Sequence, residues 1–452
     1  MTPEEFRQRG HQLIDWIADY RTNVASLDVM ARVEPGETRA QLPSAPPDSP
    51  ESFDAIFSDL EKVILPGLSH WAHPSFFGFF PSNGLLSSVL GDYASTGLGS
   101  LGLSWQSSPA LTELEEVTTD WMRQMVGLSD AWSGVIQDTA STCTLIALIC
   151  AREKRAGIVY TSAHSHSSVN KAAILAGLKV HIVEHNEQFA MRADALDARI
   201  AQDLAAGLTP CAVVATTGTT TSTALDPIES IAVIAKKHGI WLHVDAAMAG
   251  SAMILPECRW MWQGIEGADS LVLNPHKWLG IAFDCSLYYV RDAQHLIRVM
   301  STNPSYLQSS ADTQVKNLRD WGIPLGRRFR ALKIWFAVRE QGVSGLQARL
   351  RRDLENAQWF AEQVRGTENW NVLAPVPLQT VCIRHEPKGL DGEALDRHTQ
   401  AWADRVNRSG KAYLTSAILD GRWIVRVSIG AILTEREHVE ALWDVIQREV
   451  RS

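Results

Sequence analysis

The sequence predicts an α/β protein, in which a mostly parallel sheet of seven strands carries helices on both faces and a small C-terminal α+β unit follows. Two observations support this prediction. Short apolar runs alternate with helical patterns through the middle of the chain, and after about Leu346 the chain becomes helical and basic before returning to strand and helix patterns. The predicted strands of the sheet are 134–136, 157–160, 179–183, 211–215, 240–244, 270–273 and 285–290.

The first predicted element is an amphipathic helix over residues 3–24, with one apolar stripe. Residues 34–52 follow with five prolines, so they are expected to lack regular structure and to offer the stripe no local partner. A second subunit is the partner that this pattern favours. We therefore predict a homodimer.

Length and composition narrow the possible functions. The chain has 452 residues, 45% of them apolar and 21% charged, which is typical of a globular protein of more than one unit. We expect an N-terminal helical segment over 1–82, a large domain over 83–344 and a small domain over 345–452. The net charge of −9 argues against nucleic acid and anionic membranes as partners.

Cysteine spacing and the first residues bear on the compartment. The six cysteines show no C-x-x-C spacing, which predicts reduced, mostly buried thiols and no zinc knuckle. The first residues (MTPEE) lack the pattern of a signal peptide, and we find no apolar run long enough to span a bilayer. A cytoplasmic location is expected.

Ligands of such sheets sit beyond the carboxyl ends of the strands, where five predicted strand ends carry polar groups. Lys277 follows an apolar run in the segment 271–279 (LVLNPHKWL), and Asp245 ends another at 240–247 (IWLHVDAA). A desolvated lysine can form a Schiff base with an aldehyde. Pyridoxal phosphate needs such a lysine and also an acid for its ring nitrogen.

Other strand ends allow two interpretations each. Residues 138–142 (DTAST) begin a helix, where free N–H groups hold phosphate, but ordinary helix capping explains the same residues. His166 is placed to stack on a cofactor ring or to serve as a hydrogen-bonded structural residue. The run 219–221 (TTT) after Gly218 fits a site or a plain turn. Together these groups favour a pyridoxal phosphate site more strongly than any one of them does.

Longer motifs carry a family resemblance across nearly the whole chain. Residues 274–278 (NPHKW), 243–247 (HVDAA) and 163–168 (AHSHSS), together with 71–81 (WAHPSFFGFFP), 104–109, 112–115 and 323–330 (IPLGRRFR), resemble the group II pyridoxal-phosphate-dependent decarboxylases, specifically the aromatic-L-amino-acid decarboxylases. Residues 254–262 (ILPECRWMW) are most similar to the bacterial L-DOPA decarboxylases. The resemblance implies the fold of the pyridoxal-phosphate-dependent transferases, fold type I.

The resemblance also implies roles for single residues. Lys277 would hold the cofactor covalently, Asp245 would pair with its ring nitrogen, and Ala247 and His166 would lie against its two faces. The cofactor-binding positions it implies are Ala140, Ser141, His166, Thr220, Asp245, Ala247, Asn274, His276 and Lys277. The substrate-pocket positions are Trp71, Phe79, Phe80, Pro81, Ser82, Leu101 and Leu103. For Trp71 and Phe80, ordinary core burial is the competing interpretation.

One position departs from the family pattern. Many relatives carry a tyrosine three residues before the tryptophan of the segment 321–326 (WGIPLG), on a loop, as proton donor to the substrate carbon. Here that position is Leu318. Tyr306 and His166 are the alternative donors, so the catalytic residues expected are Lys277, His166, Asp245 and Tyr306.

The resemblance therefore implies a pyridoxal-phosphate-dependent enzyme that decarboxylates aromatic L-amino acids, with L-DOPA to dopamine preferred. An aromatic aldehyde synthase and a catalytically silent pyridoxal-phosphate-binding protein are the alternatives. The intact Lys277 and Asp245 argue against the silent protein. No metal is expected.

Overall fold

The computed structural model describes residues 1–302, 312 and 314–451. Within that part the helices are α1 (Pro3–Asn23), α2 (Glu37–Gln41), α3 (Phe53–Asp59), α4 (Leu86–Leu98), α5 (Pro109–Met125), α6 (Ala140–Lys154), α7 (Ser168–Leu175), α8 (Ala193–Ala205), α9 (Ile228–His238), α10 (Ala293–Met300), α11 (Ala331–Arg365), α12 (Gly392–Arg408) and α13 (Arg436–Arg451). The predicted N-terminal helix is confirmed, with Thr2 and Glu5 forming a capping box at its start.

The seven predicted strands form one sheet, as expected. They are β1 (Ser133–Gln137), β2 (Ile158–Ser162), β3 (Lys179–Val183), β4 (Pro210–Thr216), β5 (Trp241–Asp245), β6 (Ser270–Leu273) and β7 (Ser286–Val290). Their order is β1-β7-β6-β5-β4-β2-β3, and β7 runs antiparallel to both of its neighbours. The other neighbouring strands pair in parallel, so the carboxyl ends of β2, β4, β5 and β6 meet at one edge.

A second, antiparallel sheet forms the C-terminal α+β unit. Its strands are β8 (Trp370–Val372), β9 (Thr380–His385), β10 (Thr415–Leu419) and β11 (Arg422–Ser428), in the order β10-β11-β9-β8. Helices α12 and α13 bury an apolar face each, including Trp402 and Ile446. The predicted fold class is confirmed in both of its parts.

Helix α11 contributes to two hydrophobic cores. Leu346 and Leu350 belong to the large core around the seven-stranded sheet, whereas Ala357, Phe360 and other residues farther along the helix belong to the core of the antiparallel sheet. The helix is broken at Gly342, whose φ of 62° and ψ of 166° are not helical. The division at 344/345 remains a prediction, because α11 continues through it.

The N-terminal helices leave apolar side chains exposed. Helix α1 contacts α3 through Trp16 and Phe57, and its Arg9 pairs with Asp54, but none of its residues is buried. Phe6 is 54% exposed, and the exposed large apolar side chains of this region also include Ile14, Ile56, Leu86, Leu90 and Leu98. The expectation of irregular structure over 34–52 is wrong at α2, where residues 37–41, free of proline, form a short helix.

The thiols and the helices bear on two of the sequence predictions. All six cysteines are free and buried, as predicted. Across residues 1–302, 312 and 314–451, we find no helix with both the length and the apolar character that crossing a bilayer requires.

Candidate active site

Polar side chains converge on one cavity at the carboxyl edge of the large sheet. The residues that line it are Phe80, Thr139, Ala140, Ser141, His166, Thr216, Gly218, Thr220, Asp245, Ala247, Met248, Asn274, His276 and Lys277. All nine residues predicted to bind the cofactor are among them. The strands end here, so residues far apart in sequence meet at this edge.

Lys277 lies in the turn after β6. The turn is fixed by two backbone hydrogen bonds, from the N–H of Asn274 to the carbonyl of Ala247 (2.9 Å) and from the N–H of Lys277 to the carbonyl of Asn274 (3.0 Å). The next residue, Trp278, is buried and donates from Nε1 to Asp353 (2.9 Å). Desolvation lowers the pKa of Lys277 and so favours the reactive neutral amine. The Asp245 carboxylate opposes this shift.

Asp245 ends β5, the strand beside β6, and is buried. Its Oδ1 accepts the N–H of Ala247 at 3.0 Å, which holds the carboxylate in one orientation. Its backbone carbonyl accepts the N–H of Thr217 at 3.0 Å, where the chain leaves β4. The carboxylate is thus held in one orientation in the lining of the cavity, where it can pair with a cationic ring nitrogen.

His166 lies in the connection between β2 and α7. Its Nδ1 accepts the backbone N–H of Ser168 at 3.1 Å and contacts the Ser168 hydroxyl at 2.8 Å. Because Nδ1 accepts this N–H, the proton of the neutral ring is assigned to Nε2. Partial burial lowers the pKa of His166, and Lys277 lowers it further while Asp245 opposes the shift. Burial and Lys277 thus favour the neutral form of the ring, and Asp245 favours the charged form.

The donors expected to hold a phosphate are present at one end of the cavity. Ala140 and Ser141 lie in the first turn of α6, whose N-cap Thr139 accepts from the N–H of Thr142, and the first N–H groups of a helix have no partner within it. Asn274 Oδ1 accepts from Ser286, which leaves the amide N–H₂ to donate. His276 Nδ1 accepts the N–H of Cys285 at 2.9 Å, so Nε2–H is its donor, and burial lowers its pKa to about 4.

These groups fit pyridoxal 5′-phosphate. A lysine with a lowered pKa, an oriented carboxylate, an imidazole ring and a set of phosphate donors line one cavity, and these are the kinds of group that the cofactor's aldehyde, ring nitrogen, ring face and phosphate need. Thr216 adds a buried hydroxyl that has no hydrogen-bond partner within the described part of the chain.

Arg426, which the sequence analysis did not identify, lies next to this cavity. It is buried on β11 and donates from Nε to the carbonyl of Thr221 (2.8 Å), while Nη2 has no partner among the described residues. The ring centroid of Phe80 lies 4.9 Å from the Arg426 guanidinium carbon and 5.3 Å from Lys277 Nζ. An arginine inside an apolar strand pattern at 423–428 was the available signal.

Most of the predicted substrate-pocket residues lie outside the cavity in the single chain. Only Phe80 lines it, and Ser82 contacts it indirectly through a hydrogen bond to the carbonyl of His276 (2.9 Å). Trp71 stacks on Phe79 at 5.4 Å in an exposed aromatic pair. The other three are placed differently from one another: Pro81 is buried, Leu103 half-buried and Leu101 58% exposed. Their role remains a prediction.

The two positions linked to proton donation differ in what the structure describes. Tyr306 lies outside the described residues. Leu318 begins a short 3₁₀ turn, Leu318–Trp321, and is 1% exposed within the large core. It does not line the cavity, so within this chain Leu318 contacts the core and His166 remains the donor candidate at the site.

Comparisons with known proteins agree with these observations. The family model described as the pyridoxal-dependent decarboxylase conserved domain matches residues 35–386. Tryptophan decarboxylase 2 of Oryza sativa subsp. japonica is 38% identical over 99% of this chain and 95% of its own length. Phenylacetaldehyde synthase of Arabidopsis thaliana is 39% identical over 99% of this chain and 96% of its own.

A solved structure shows the same architecture. The crystal structure of Oryza sativa TDC with PLP and tryptamine superposes with a TM-score of 0.98 at 34% identity, covering 100% of this chain and 98% of that one. The two curated relatives named here are plant enzymes, and the comparisons do not support a particular likeness to bacterial L-DOPA decarboxylases. Residues 254–262, which carried that likeness, lie in 3₁₀ turns and do not line the cavity.

Proposed function

Since this chain belongs to the pyridoxal-dependent decarboxylase family and uses pyridoxal 5′-phosphate, we propose that it converts aromatic L-amino acids to amines and CO₂. Decarboxylation and aldehyde synthesis both occur among its relatives by name, so the choice of amine is part of the proposal. The observation that carries it is the convergence of Lys277, Asp245 and His166 on one cavity beside the phosphate donors.

Each residue has a task in this proposal. When bound, pyridoxal phosphate accepts the electron pair that the breaking bond between Cα and the carboxylate leaves behind. Lys277 holds the cofactor through its neutral amine, and Asp245 holds the proton of the ring nitrogen. The free Nη2 of Arg426 would bind the substrate carboxylate, because it is a buried donor without a partner on a guanidinium next to Phe80, which lines the cavity. His166 would cover one face of the ring and donate to Cα from its imidazolium form, which gives up the Nε2 proton and returns to the neutral ring.

The function is tested by measuring CO₂, amine, aldehyde, ammonia and peroxide together, with L-DOPA, tyrosine, tryptophan, phenylalanine and 5-hydroxytryptophan as substrates. We expect one amine for each CO₂ and, in line with the preference that the family resemblance implies, the highest kcat/KM with L-DOPA. A higher kcat/KM with tryptophan would remove the L-DOPA preference and leave the reaction in place. Stoichiometric aldehyde would identify a synthase, and no CO₂ from any substrate would identify a silent binding protein.

We predict that the identity of the proton donor appears in the product. General-acid catalysis contributes about 10²–10⁴-fold to rate. If His166 supplies the proton, His166→Asn shifts product from amine toward aldehyde, with ammonia and peroxide, because oxygen then reaches the carbanion first. Tyr306→Phe tests the alternative donor by the same measurement, because the shift toward aldehyde should appear in that variant if Tyr306 supplies the proton.

Position 318 provides the complementary variant. If the unmodified enzyme makes aldehyde, Leu318→Tyr should restore amine. Because Leu318 does not line the cavity of its own chain, the new hydroxyl would have to act at the partner's cavity in the proposed dimer. An unchanged amine yield from both His166→Asn and Tyr306→Phe would contradict both assignments.

We also propose a homodimer with α1 at the interface. The accessible surface of the chain is 20,336 Å², whereas a folded monomer of this size exposes roughly 17,000 Å². The exposed side chains of α1 and α4, with Leu101 and Phe79, form an apolar surface that a second subunit would cover. In such a dimer, the predicted substrate-pocket residues that lie outside the cavity of their own chain would lie next to the cavity of the partner subunit.

We predict that deleting residues 1–24 gives monomers, as measured by sedimentation velocity, and that these monomers are inactive in the CO₂ assay. The double variant Phe6→Asp, Ile14→Asp should weaken the dimer in the same way, because it places charges on the exposed stripe of α1. Asp15→Asn is the control, since it changes an exposed polar residue of the same helix. A fully active monomer lacking residues 1–24 would exclude this arrangement.

A cytoplasmic location stays a prediction.

A further inference from the structure

Two histidines and one aspartate meet at a place outside the cavity. His164 follows β2, His185 follows β3, and Asp420 lies in the turn between β10 and β11. His185 Nε2 is 3.2 Å from Asp420 Oδ1, and His164 Nε2 is 3.5 Å from the same oxygen. One potential ligand atom from each of the three residues lies within 4.8 Å of the other two.

The hydrogen bonds of His185 show which of its nitrogens is free. Its Nδ1 lies 3.0 Å from the carbonyl oxygen of Asn186. A carbonyl only accepts, so Nδ1 carries the proton and a neutral ring presents the lone pair of Nε2 to Asp420. A lone pair facing a carboxylate oxygen at 3.2 Å is repulsive unless Nε2 is also protonated or a metal cation lies between the two atoms. A histidine that donates one N–H to a backbone carbonyl is also the common arrangement of a metal ligand.

His164 supplies an independent observation. Its side chain is only 9% exposed, and apart from the long 3.5 Å contact with Asp420 Oδ1 its buried Nε2 has no hydrogen-bond partner within the described segments. The ring is held in place by edge contacts with His185 and Phe189, at 4.5 and 5.5 Å between centroids. Leaving such a nitrogen unsatisfied costs about 1–3 kcal/mol, which a ligand at this point would recover.

We propose that His164, His185 and Asp420 bind a divalent transition metal of the zinc class, with water in the remaining position. In a tetrahedral zinc site with bonds of about 2.0–2.2 Å, two ligand atoms lie about 3.3–3.6 Å apart, close to the two distances to Asp420. Two imidazoles and one carboxylate suit zinc better than calcium or magnesium, which prefer oxygen ligands. Asp420 is partly exposed, so the metal has a path from solvent.

The proposed site joins the two sheets. Its histidines come from the large sheet and its carboxylate from the hairpin of the small one. Beneath it, Phe189 and Ala224 pack with Leu419 and Ile424 in a small apolar cluster between the same two units. A bound metal therefore stabilises the contact between the units, and it does so independently of the reaction at Lys277.

The test uses holoenzyme that has been treated with a chelator and freed of unbound pyridoxal phosphate. We expect it to bind one Co²⁺ per chain, with the visible spectrum of a tetrahedral site, and to exchange it for Zn²⁺ in calorimetry. His185→Gln and Asp420→Asn should each weaken binding at least about tenfold. Zn²⁺ should raise the Tm of the unmodified enzyme and leave the Tm of both variants unchanged.

Two control variants separate this site from other histidines. His11→Gln removes an exposed histidine of α1 and should bind as the unmodified enzyme does. His398→Gln removes a member of the other close pair, in which His385 Nδ1 lies 2.8 Å from His398 Nε2. Stoichiometric binding that is lost in His398→Gln and kept in Asp420→Asn would overturn the assignment. Absence of binding to the unmodified enzyme would also overturn it, and would leave a protonated His185 paired with Asp420.

Discussion

Lys277→Ala is expected to fold normally and to lose turnover entirely. The substitution removes the amine that desolvation makes reactive, and no neighbouring lysine lines the cavity within the described residues. The unmodified enzyme should be yellow, and borohydride should fix the cofactor on Lys277, as peptide mass spectrometry would show. The variant should retain its circular dichroism and Tm, because the turn around Lys277 is held by backbone hydrogen bonds and by Trp278.

Two other lysines serve as comparisons in this experiment, one as a competing site of labelling and one as a control variant. Lys316 is also desolvated, with its pKa lowered to about 8, but it donates to the carbonyl of Gly134 (2.6 Å) and does not line the cavity. It is the chemical rival for labelling. Lys171→Ala is the matched control on the exposed side of α7 and should keep full activity. Cofactor fixed on Lys316 in place of Lys277 would refute the assignment.

Asp245→Asn is expected to slow decarboxylation by about 10²–10³-fold, corresponding to roughly 3–4 kcal/mol in the activation free energy. A neutral amide cannot keep the ring nitrogen protonated, and each pKa unit lost there is about 1.4 kcal/mol. The effect should fall on kcat. Phosphate contacts are made by other residues, so the affinity for the cofactor should change less than the rate.

Two variants complete the Asp245 experiment. Asp245→Glu keeps the charge and should recover part of the rate, and Asp130→Asn, at an exposed position, should change nothing. A kcat near that of the unmodified enzyme in Asp245→Asn would show that the carboxylate does not control the ring nitrogen.

The sequence predicted the strands of the large sheet and the set of residues around the cavity because both follow from local rules. Each strand is a short buried run, and parallel strands deliver their last residues to one edge. Lys277 and Asp245 were therefore found without knowledge of the strand order. That β7 runs antiparallel between β1 and β6 was not predicted, since a buried apolar run does not reveal its direction.

The features that the sequence did not predict depend on contacts between residues that are far apart in the chain. Arg426 lies far from Lys277 in sequence, and nothing local indicates that β11 brings it to Phe80. The same reason hid the approach of Asp420 to the two histidines. The proton position on His166 depends on one backbone N–H, that of Ser168, and a composition or spacing pattern cannot supply it.

Helix α11 has a consequence for how the protein unfolds. One continuous element inserts Leu346 and Leu350 into one core and Phe360 into the other, so neither core is complete without it. Separating the chain near residue 345 would leave both fragments with exposed apolar surface. We therefore expect the two units to melt in one cooperative transition, and calorimetric and van't Hoff enthalpies of the isolated chain to agree despite its size. The cooperative folding unit would then comprise both sheets and the helices packed on them.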